Sequence, residues 1–517
     1  MKNKKQVLLM GMIVCLVVIP MTVLAQPSRI IGTIRAEHAN AIVRAINPMA
    51  GYVMAGWTMR PIAGSSNMTK DALVVRVNPD GSLISNINNA VIFGGLQDEE
   101  ATSMIRTSDQ SYVVAGWTRS YNNPPNTNAD IFVIKFKPDL IHYHWAKVYH
   151  MLTNDLGHRA NSIIEVTASP VDPGGYILTG YLLSPNTATR RILVLRLDLS
   201  GNVTWVRTYG MVGTVNNLYN EGFSITEVSD ITVPNVKFAV VGRTASTLNA
   251  RGDAFMMRLG SNGSLVLPTL VFSGNYDTHA RSVAWDGQFS GLVAPGIMVA
   301  GMVKSTNTPS PIPANILVAR IRTNAMIVDW SYEYKWDTAN GPDRADYIQG
   351  DKALIVIPGN AVTPSNFVLC GITYSRGPNI PNAPNIMLMR LKHEGIVDWN
   401  ENATVFPMIL QPNTNNFDVA NGVVQSPAIP GNGFAVAGWT NSIFNPNLPP
   451  NLAGHNILFT TFTPGGMQSG SCDAQFKIKN STLSHWAPKT FDQPTNHMRP
   501  KDIQVSDYTV TSVLVCQ

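Results

Sequence analysis

The chain has 517 residues, of which 14% are charged, with 40 Gly and 34 Pro. That balance suits a turn-rich all-β protein and argues against a helical one. The formal charge is +5, but Lys2, Lys4 and Lys5 fall in an N-terminal leader without acids, so the remainder has no electrostatic footprint for nucleic acid.

Residues 1–25 read as a secretory signal peptide. A basic "MKNKK" is followed by an apolar run that ends in Val23-Leu24-Ala25 before Gln26, the pattern of a cleaved leader. An uncleaved anchor is the alternative. No later segment is apolar enough to span a bilayer. The expected location is therefore secreted or cell-surface, with the periplasm as the other compartment. The run "SRIIGTI" (28–34) comes next and reads as a strand.

From there the chain repeats itself. "GYVMAGWT" (51–58), "SYVVAGWT" (111–118) and "GFAVAGWT" (433–440) belong to a set of seven variants. Their shared glycines are Gly56, Gly116, Gly180, Gly242, Gly301, Gly371 and Gly438, spaced by 59 to 70 residues. Spacing of this size marks a repeated supersecondary unit. Each unit has an A run that opens on a small residue (Ala39, Ala101, Ala160, Gly222, Ala280, Ala345, Ala420), then the glycine-bearing B run. A C run such as "RILVLRL" follows, with a base at Arg76, Lys135, Arg196, Arg258, Arg320 and Arg390 and Thr461 in the seventh unit. Turn sequences such as "DLSGN" then lead into an aromatic D run such as "VTWVRTYG".

Four short β-rich runs per unit, with no amphipathic helix between them, predict a seven-bladed β-propeller over residues 26–466. The seventh unit has no D run after "NILFTTFTPGG", and "SRIIGTI" precedes the first A run. The N-terminal strand is thus expected to complete the last blade and close the ring, which removes exposed edges. Both faces of a B strand should be buried, Tyr52, Met54 and Gly56 on one side and Val53, Ala55 and Trp57 on the other. The glycine is expected where adjacent sheets approach closely.

The tail, 467–517, reads as a short cysteine-bracketed β appendage. Cys472 and Cys516 are the expected disulfide in an exported protein. Cys370, in "NFVLCG", reads as a buried apolar residue.

The unit resembles the propeller repeats of bacterial secreted and surface proteins. The match is best in "GGYILTGYLL" (174–183) and "RILVLRLDLSGNVTWVRTYG" (191–210), and it extends over about residues 28–466. Many such proteins have no assigned activity, so the resemblance implies an architecture more than a chemistry.

Chemical motifs are sparse, and neither a cofactor nor a metal is expected. His142 and His144 share a strand face but lack further ligands. One end of the units is more informative. The B–C loops are long and rich in Pro and Asn, as in "KSTNTPSPIPAN", and the residues before each A run are charged. Glu37, His38, Glu99, Glu100, His158, Arg159, Glu221, His279, Arg344 and Asp418 would ring a channel mouth at that end, with His38, His158 and His279 titrating near pH 6–7 if unperturbed. Loops on a rigid scaffold are where binding usually resides. The favoured expectation is an exported non-catalytic propeller that binds a protein or glycan at the cell surface or in the extracellular matrix through this face. The alternative is a carbohydrate-active enzyme using acids at the mouth, such as Glu99, Glu100 and Glu221.

Overall fold

The computed structural model describes residues 29–32, 36–46, 51–62, 68–84, 90–121, 128–151, 157–183, 189–211, 219–230, 232–245, 251–272, 276–287, 294–305, 314–323, 327–336, 346–348, 350–359, 364–373, 385–396, 404–406, 418–426, 433–440, 455–462, 476–480, 491–492, 498–502, 506–508 and 511–514. Arg344, Cys472, Cys516, the leader and the central parts of the long B–C loops lie outside them.

The architecture is all-β and propeller-like. Among the described residues the first six repeat units each pair antiparallel in the order A-B-C-D, and a parallel bridge between Arg190 and Tyr219 joins the third and fourth into one nine-stranded sheet. In the third unit the strands are His158–Val166, Gly175–Leu183, Arg190–Leu197 and Val203–Met211. In the seventh, Asp418–Ser426, Gly433–Thr440 and Asn456–Phe462 are followed in the sheet by the N-terminal strand Arg29–Gly32. Ile30 lies opposite Leu458 and Ile31 opposite Ile457, as expected from the missing D run. Each sheet packs against the next along the chain, and the first A strand packs against the A and B strands of the seventh unit.

The core lies between sheets. Tyr52 and Met54 pack toward Ala435, Ala437 and Phe459 of the seventh unit, while Val53 and Ala55 pack toward Met104, Val114 and Phe132 of the second. This is the two-faced burial that the B-run alternation predicts. Ile31 is fully buried in the same seam as Tyr52, a contribution of about 1.5–3 kcal/mol from that side chain alone.

Two backbone constraints account for the repeated letters. The A strand carries a β-bulge in six units. Ala39 pairs with Gly56 and Ala41 with Ala55, which leaves Asn40 extra. The equivalent extra residues are Thr102, Asn161, Phe223, Arg281 and Asn421. A bulge drives the preceding carbonyl into the partner strand. A Cβ on Gly56, Gly116, Gly180 or Gly242 would stand 1.8, 1.9, 1.9 and 1.9 Å from the carbonyl oxygens of His38, Glu100, Arg159 and Glu221. Only glycine fits there. The crowding group therefore belongs to the A strand of the same sheet and not, as expected from the sequence, to the neighbouring sheet.

The second constraint joins sheets at the opposite end. The hydroxyls of Tyr149, Tyr209 and Tyr334 in D strands donate to the carbonyls of Gly201, Gly263 and Gly395 in the next unit's C–D turn, at 2.8, 2.5 and 2.5 Å. Trp145, Trp205 and Trp330 donate to carbonyls of the same turns. These glycines have φ of +75, +79 and +81°, the region that favours glycine. The "SG" of one unit and the "W…Y" of the previous one are halves of a single contact.

The tail is β-stranded, and its partners lie outside it. Its strands Phe476–Asn480, Phe491–Asp492, Met498–Asp502, Ser506–Tyr508 and Thr511–Leu514 do not pair with one another. Each adds to an outermost strand, of the fifth, third, second, first and seventh sheets respectively. An outer strand presents unpaired N–H and C=O groups, and these segments satisfy them. Cys370 is buried and free, and burial pushes its thiol pKa upward.

Gly180→Ala should cost about 1–3 kcal/mol or more, because the new methyl has no room against the Arg159 carbonyl. Urea denaturation followed by circular dichroism measures it. An unchanged midpoint would show that the bulge yields freely.

Candidate functional site

The A-strand start pairs with the B-strand end, as Glu37 does with Thr58. The pre-A residues and B–C connections therefore share one end of the sheets. Strand alternation splits the charged residues there into two sets, since neighbours along a strand face opposite sides.

Glu37, Glu99, His158 and Asp418 turn into the packing between sheets and are buried. Glu37 accepts from the Thr58 hydroxyl at 3.2 Å, and Glu99 accepts from Thr118 at 2.6 Å, from Ser120 N and from Gly95 N. The threonine of "AGWT" is the cross-strand partner of this position, and Asn220 and Thr244 repeat the arrangement at 2.8 Å. His158 lies 2.6 Å from the Tyr149 carbonyl and 3.3 Å from Asp130. Burial raises the pKa of Glu99, and raises that of Asp418 to about 7. The threonine bonds of Glu37 and Glu99 join the A and B strands of one sheet, and His158 reaches the sheet of the second unit.

His38, Glu100, Arg159, Glu221 and His279 belong to the other set. His38 is stacked between Trp57 and Trp439, with ring centroids 4.1 and 4.6 Å away, and shares a 2.7 Å hydrogen bond with His455. Burial, then His455 and Lys70, push its pKa down to about 2. Burial also lowers His279, 3.3 Å from Asp277, with Arg281 and Arg243 adding to the effect. Burial thus moves both imidazoles below the 6.5 of an unperturbed histidine, on which the expected titration near pH 6–7 depended. Arg344 lies outside the described residues.

The bulges were not foreseen, and they build the centre of the site. One depression of about 260 Å³ is lined by side chains or backbone from all seven units, among them Asn40, Thr102, Asn161, Arg281, Asp351 and Asn421. Four bulge residues tie one A strand to the next. Asn40 donates to the Ala101 carbonyl at 2.9 Å, Thr102 to Ala160 at 2.8 Å, Asn161 to Gly222 at 2.8 Å and Asn421 to Ala39 at 2.9 Å. In the fourth and fifth units Phe223 and Arg281 take this place, and the Arg281 guanidinium stacks on the Phe223 ring at 3.9 Å.

The sixth unit departs furthest. Its A strand is split into Asp346–Tyr347 and Leu354–Ile357, both paired with Asn366–Thr373. Gly350 and Asp351, between them in sequence, line the depression. Ser103 donates to the Asp351 carboxylate at 2.8 Å, and Ser224 and Ser282 donate to the Asp351 carbonyl at 3.0 and 2.8 Å. A Cβ on Gly350 would stand 1.6 Å from the Asn421 carbonyl, so this approach also requires glycine. Burial raises the Asp351 pKa and lowers that of Lys352. The run "ADYI" was expected to be an ordinary A strand; "QGDKA" shows that it is not, since Gly-Asp interrupts the apolar pattern.

A second depression of about 320 Å³ adjoins the first and shares Glu100, Asn161, Glu221 and Arg281 with it. Its outer wall is aromatic and cationic. Arg159 lies 3.8 Å above the Trp117 ring, and Arg190 lies 4.0 Å from Tyr181 and 4.3 Å from Tyr219. A larger depression, about 840 Å³, lies at the opposite end beside the C–D turns of the third and fourth units. Its Trp205 and Gly260–Ser264 wall performs the inter-sheet contact described above, whereas the first two are walled by residues that break the repeat.

No known protein-family model matches the chain, and no curated protein is similar to it at a significant level. Among the described residues no cluster of His, Cys, Asp and Glu could hold a metal ion. No helix there is long and apolar enough to cross a membrane.

Asp418 gives a signed pH prediction. Its folded pKa, about 7, exceeds the ordinary 3.8, so stability is lost as pH rises through that window. Asp418→Asn removes the loss. The variant should match the parent in urea midpoint at pH 4 and exceed it at pH 8; a gain of equal size at both values would contradict the assignment.

Proposed function

We propose that the chain is an exported, non-catalytic, seven-bladed β-propeller, closed by its N-terminal strand, that binds a protein or glycan at the cell surface or in the extracellular matrix. The binding face is the mouth at the B–C loop end. The observation that carries this reading is the break in the repeat. Where other units place a small amide or hydroxyl to tie A strands together, Phe223 and Arg281 are placed instead, beside Arg159, Trp117 and Tyr181.

Several features support it. The closing pair is the first unit against the seventh, tied by Asn421 and by the Ile31 seam. The acids named as candidate catalysts are already committed. Glu99 is buried under three donors. Glu221 accepts from Asn161, Arg190 and Tyr219 at 3.0, 2.8 and 2.7 Å. Glu100 accepts from Asn40 at 3.0 Å and faces Lys70 at 3.6 Å. Such arrangements hold a fixed polar surface, as binding sites require. Export rests on the leader sequence, and a Cys472–Cys516 disulfide accords with it.

The test compares two pairs of substitutions for binding to isolated cell-surface and matrix material. Phe223→Ala with Arg281→Ala should weaken binding about tenfold or more while circular dichroism stays native. Val171→Asp with Leu199→Asp, at the opposite end where these side chains are 95% and 49% exposed, should leave it unchanged. The reverse result assigns binding to the other face. Turnover of a glycan that is lost in Glu100→Gln or Glu221→Gln would make the protein an enzyme.

A further inference from the structure

We propose, resting on the reading of the mouth as a binding site, that the depression between the second and fifth units receives a carboxylated sugar and that Arg159 anchors its carboxylate. The argument begins with charge. Four guanidiniums line this depression, from Arg159, Arg190, Arg243 and Arg281, against the two carboxylates of Glu100 and Glu221. Arg190 is paired with Glu221 at 2.8 Å and Arg243 with Asp277 at 3.1 Å. Glu100 is turned toward Lys70. Among the described residues no acidic side chain pairs with Arg159, whose neighbour is the face of Trp117.

A guanidinium stacked on an indole is held flat, with its N–H edge in a fixed orientation. Fixed in this way it loses little further entropy when it forms the forked pair that a carboxylate accepts. Trp117 is itself immobile, 5% exposed and paired across the sheet with Glu100. The half-buried Arg159 is thus a pre-set anion receptor in a wall that otherwise supplies both donors and acceptors.

The remaining polar groups select the class of anion. Glu100 and Glu221 can accept from hydroxyls, while the Tyr181 phenol and Thr102 hydroxyl can donate and accept. A polyhydroxylated ring with one carboxylate uses this mixture; a simple anion would use the arginine alone. Walled by side chains of the second to fifth units around a volume of about 320 Å³, the depression is a small well. A well admits the end unit of a chain, whereas an extended acidic peptide would need a strand edge or groove for its backbone.

The experiment is calorimetric titration of the full mature chain with trigalacturonate, neutral galactotriose and hexaglutamate, at low and moderate salt. Trigalacturonate should bind at least about tenfold more tightly than galactotriose, and more weakly as salt rises. Arg159→Gln should reduce that binding about 10- to 100-fold, and Arg159→Lys should restore part of it, since an ammonium cannot form the fork. Circular dichroism and binding to surface material report whether each variant is folded. Equal affinity for the neutral trisaccharide overturns the carboxylate claim and leaves the mouth as a glycan site. Tighter binding of hexaglutamate overturns the sugar claim. Trigalacturonate binding that Arg159→Gln does not change overturns the assignment of the anchor. Absence of trigalacturonate binding at about 1 mM overturns the proposal. Failure of the underlying reading is separate: it would appear as surface binding that Phe223→Ala with Arg281→Ala does not alter.

Discussion

The contact between an A-strand carbonyl and a B-strand glycine is the constraint on which the other features depend. A bulge inserts one residue where the sheet has no place for it, and the preceding carbonyl is pressed to within 2 Å of where a Cβ would be. Glycine alone removes the conflict. The inserted residue is released from the pleat, and in successive units it reaches the same depression. One local irregularity, repeated, thus brings a side chain from each bulged strand to one depression, the proposed binding surface. It also ties the sheets to one another, because Asn40, Thr102, Asn161 and Asn421 use the freed position to donate to the next A strand.

The buried seam and the depression are therefore separated along the strand by a single residue, as between Glu99 and Glu100. Glu37 and Glu99 satisfy the threonines of "AGWT" in the buried seam. The next residues, His38 and Glu100, lie on the other side. At the far end, the tyrosine and tryptophan of the D strands of the second, third and fifth units clasp the next unit's turn. With both ends and both faces of the B strands engaged in this manner, the units free to vary are those whose bulge residue is not needed as a tie. Phe223, Arg281 and the inserted Asp351 segment are those variations.

Much of the fold was legible because it rests on patterns that sequence carries. The B-strand alternation predicts both seams, and the missing seventh D run predicts the place of Arg29–Gly32. The site was less legible. Adjacent charged pairs such as Glu99-Glu100 were read as one ring, although a strand sends neighbours to opposite faces. That signal was present and unused. The bulges had no signal of their own beyond the small residue that opens each A run, because a single extra residue does not disturb the spacing of repeats 59 to 70 residues long. Arg190 and Tyr219 were missed since they meet only through the contact of the third and fourth sheets. The tail was legible as β, but not its partners: they are five separate outer strands, and pairing over such distances leaves no local pattern.

Amide hydrogen exchange, measured by mass spectrometry with and without surface material bound, tests most directly whether the bulges form one recognition surface. The account predicts that peptides covering 99–104, 158–163, 221–225, 279–283 and 350–354 gain protection together, although they belong to five different repeat units. Turns 198–201 and 260–263 should not change. Protection confined to a single sheet, or appearing at those turns, would contradict it.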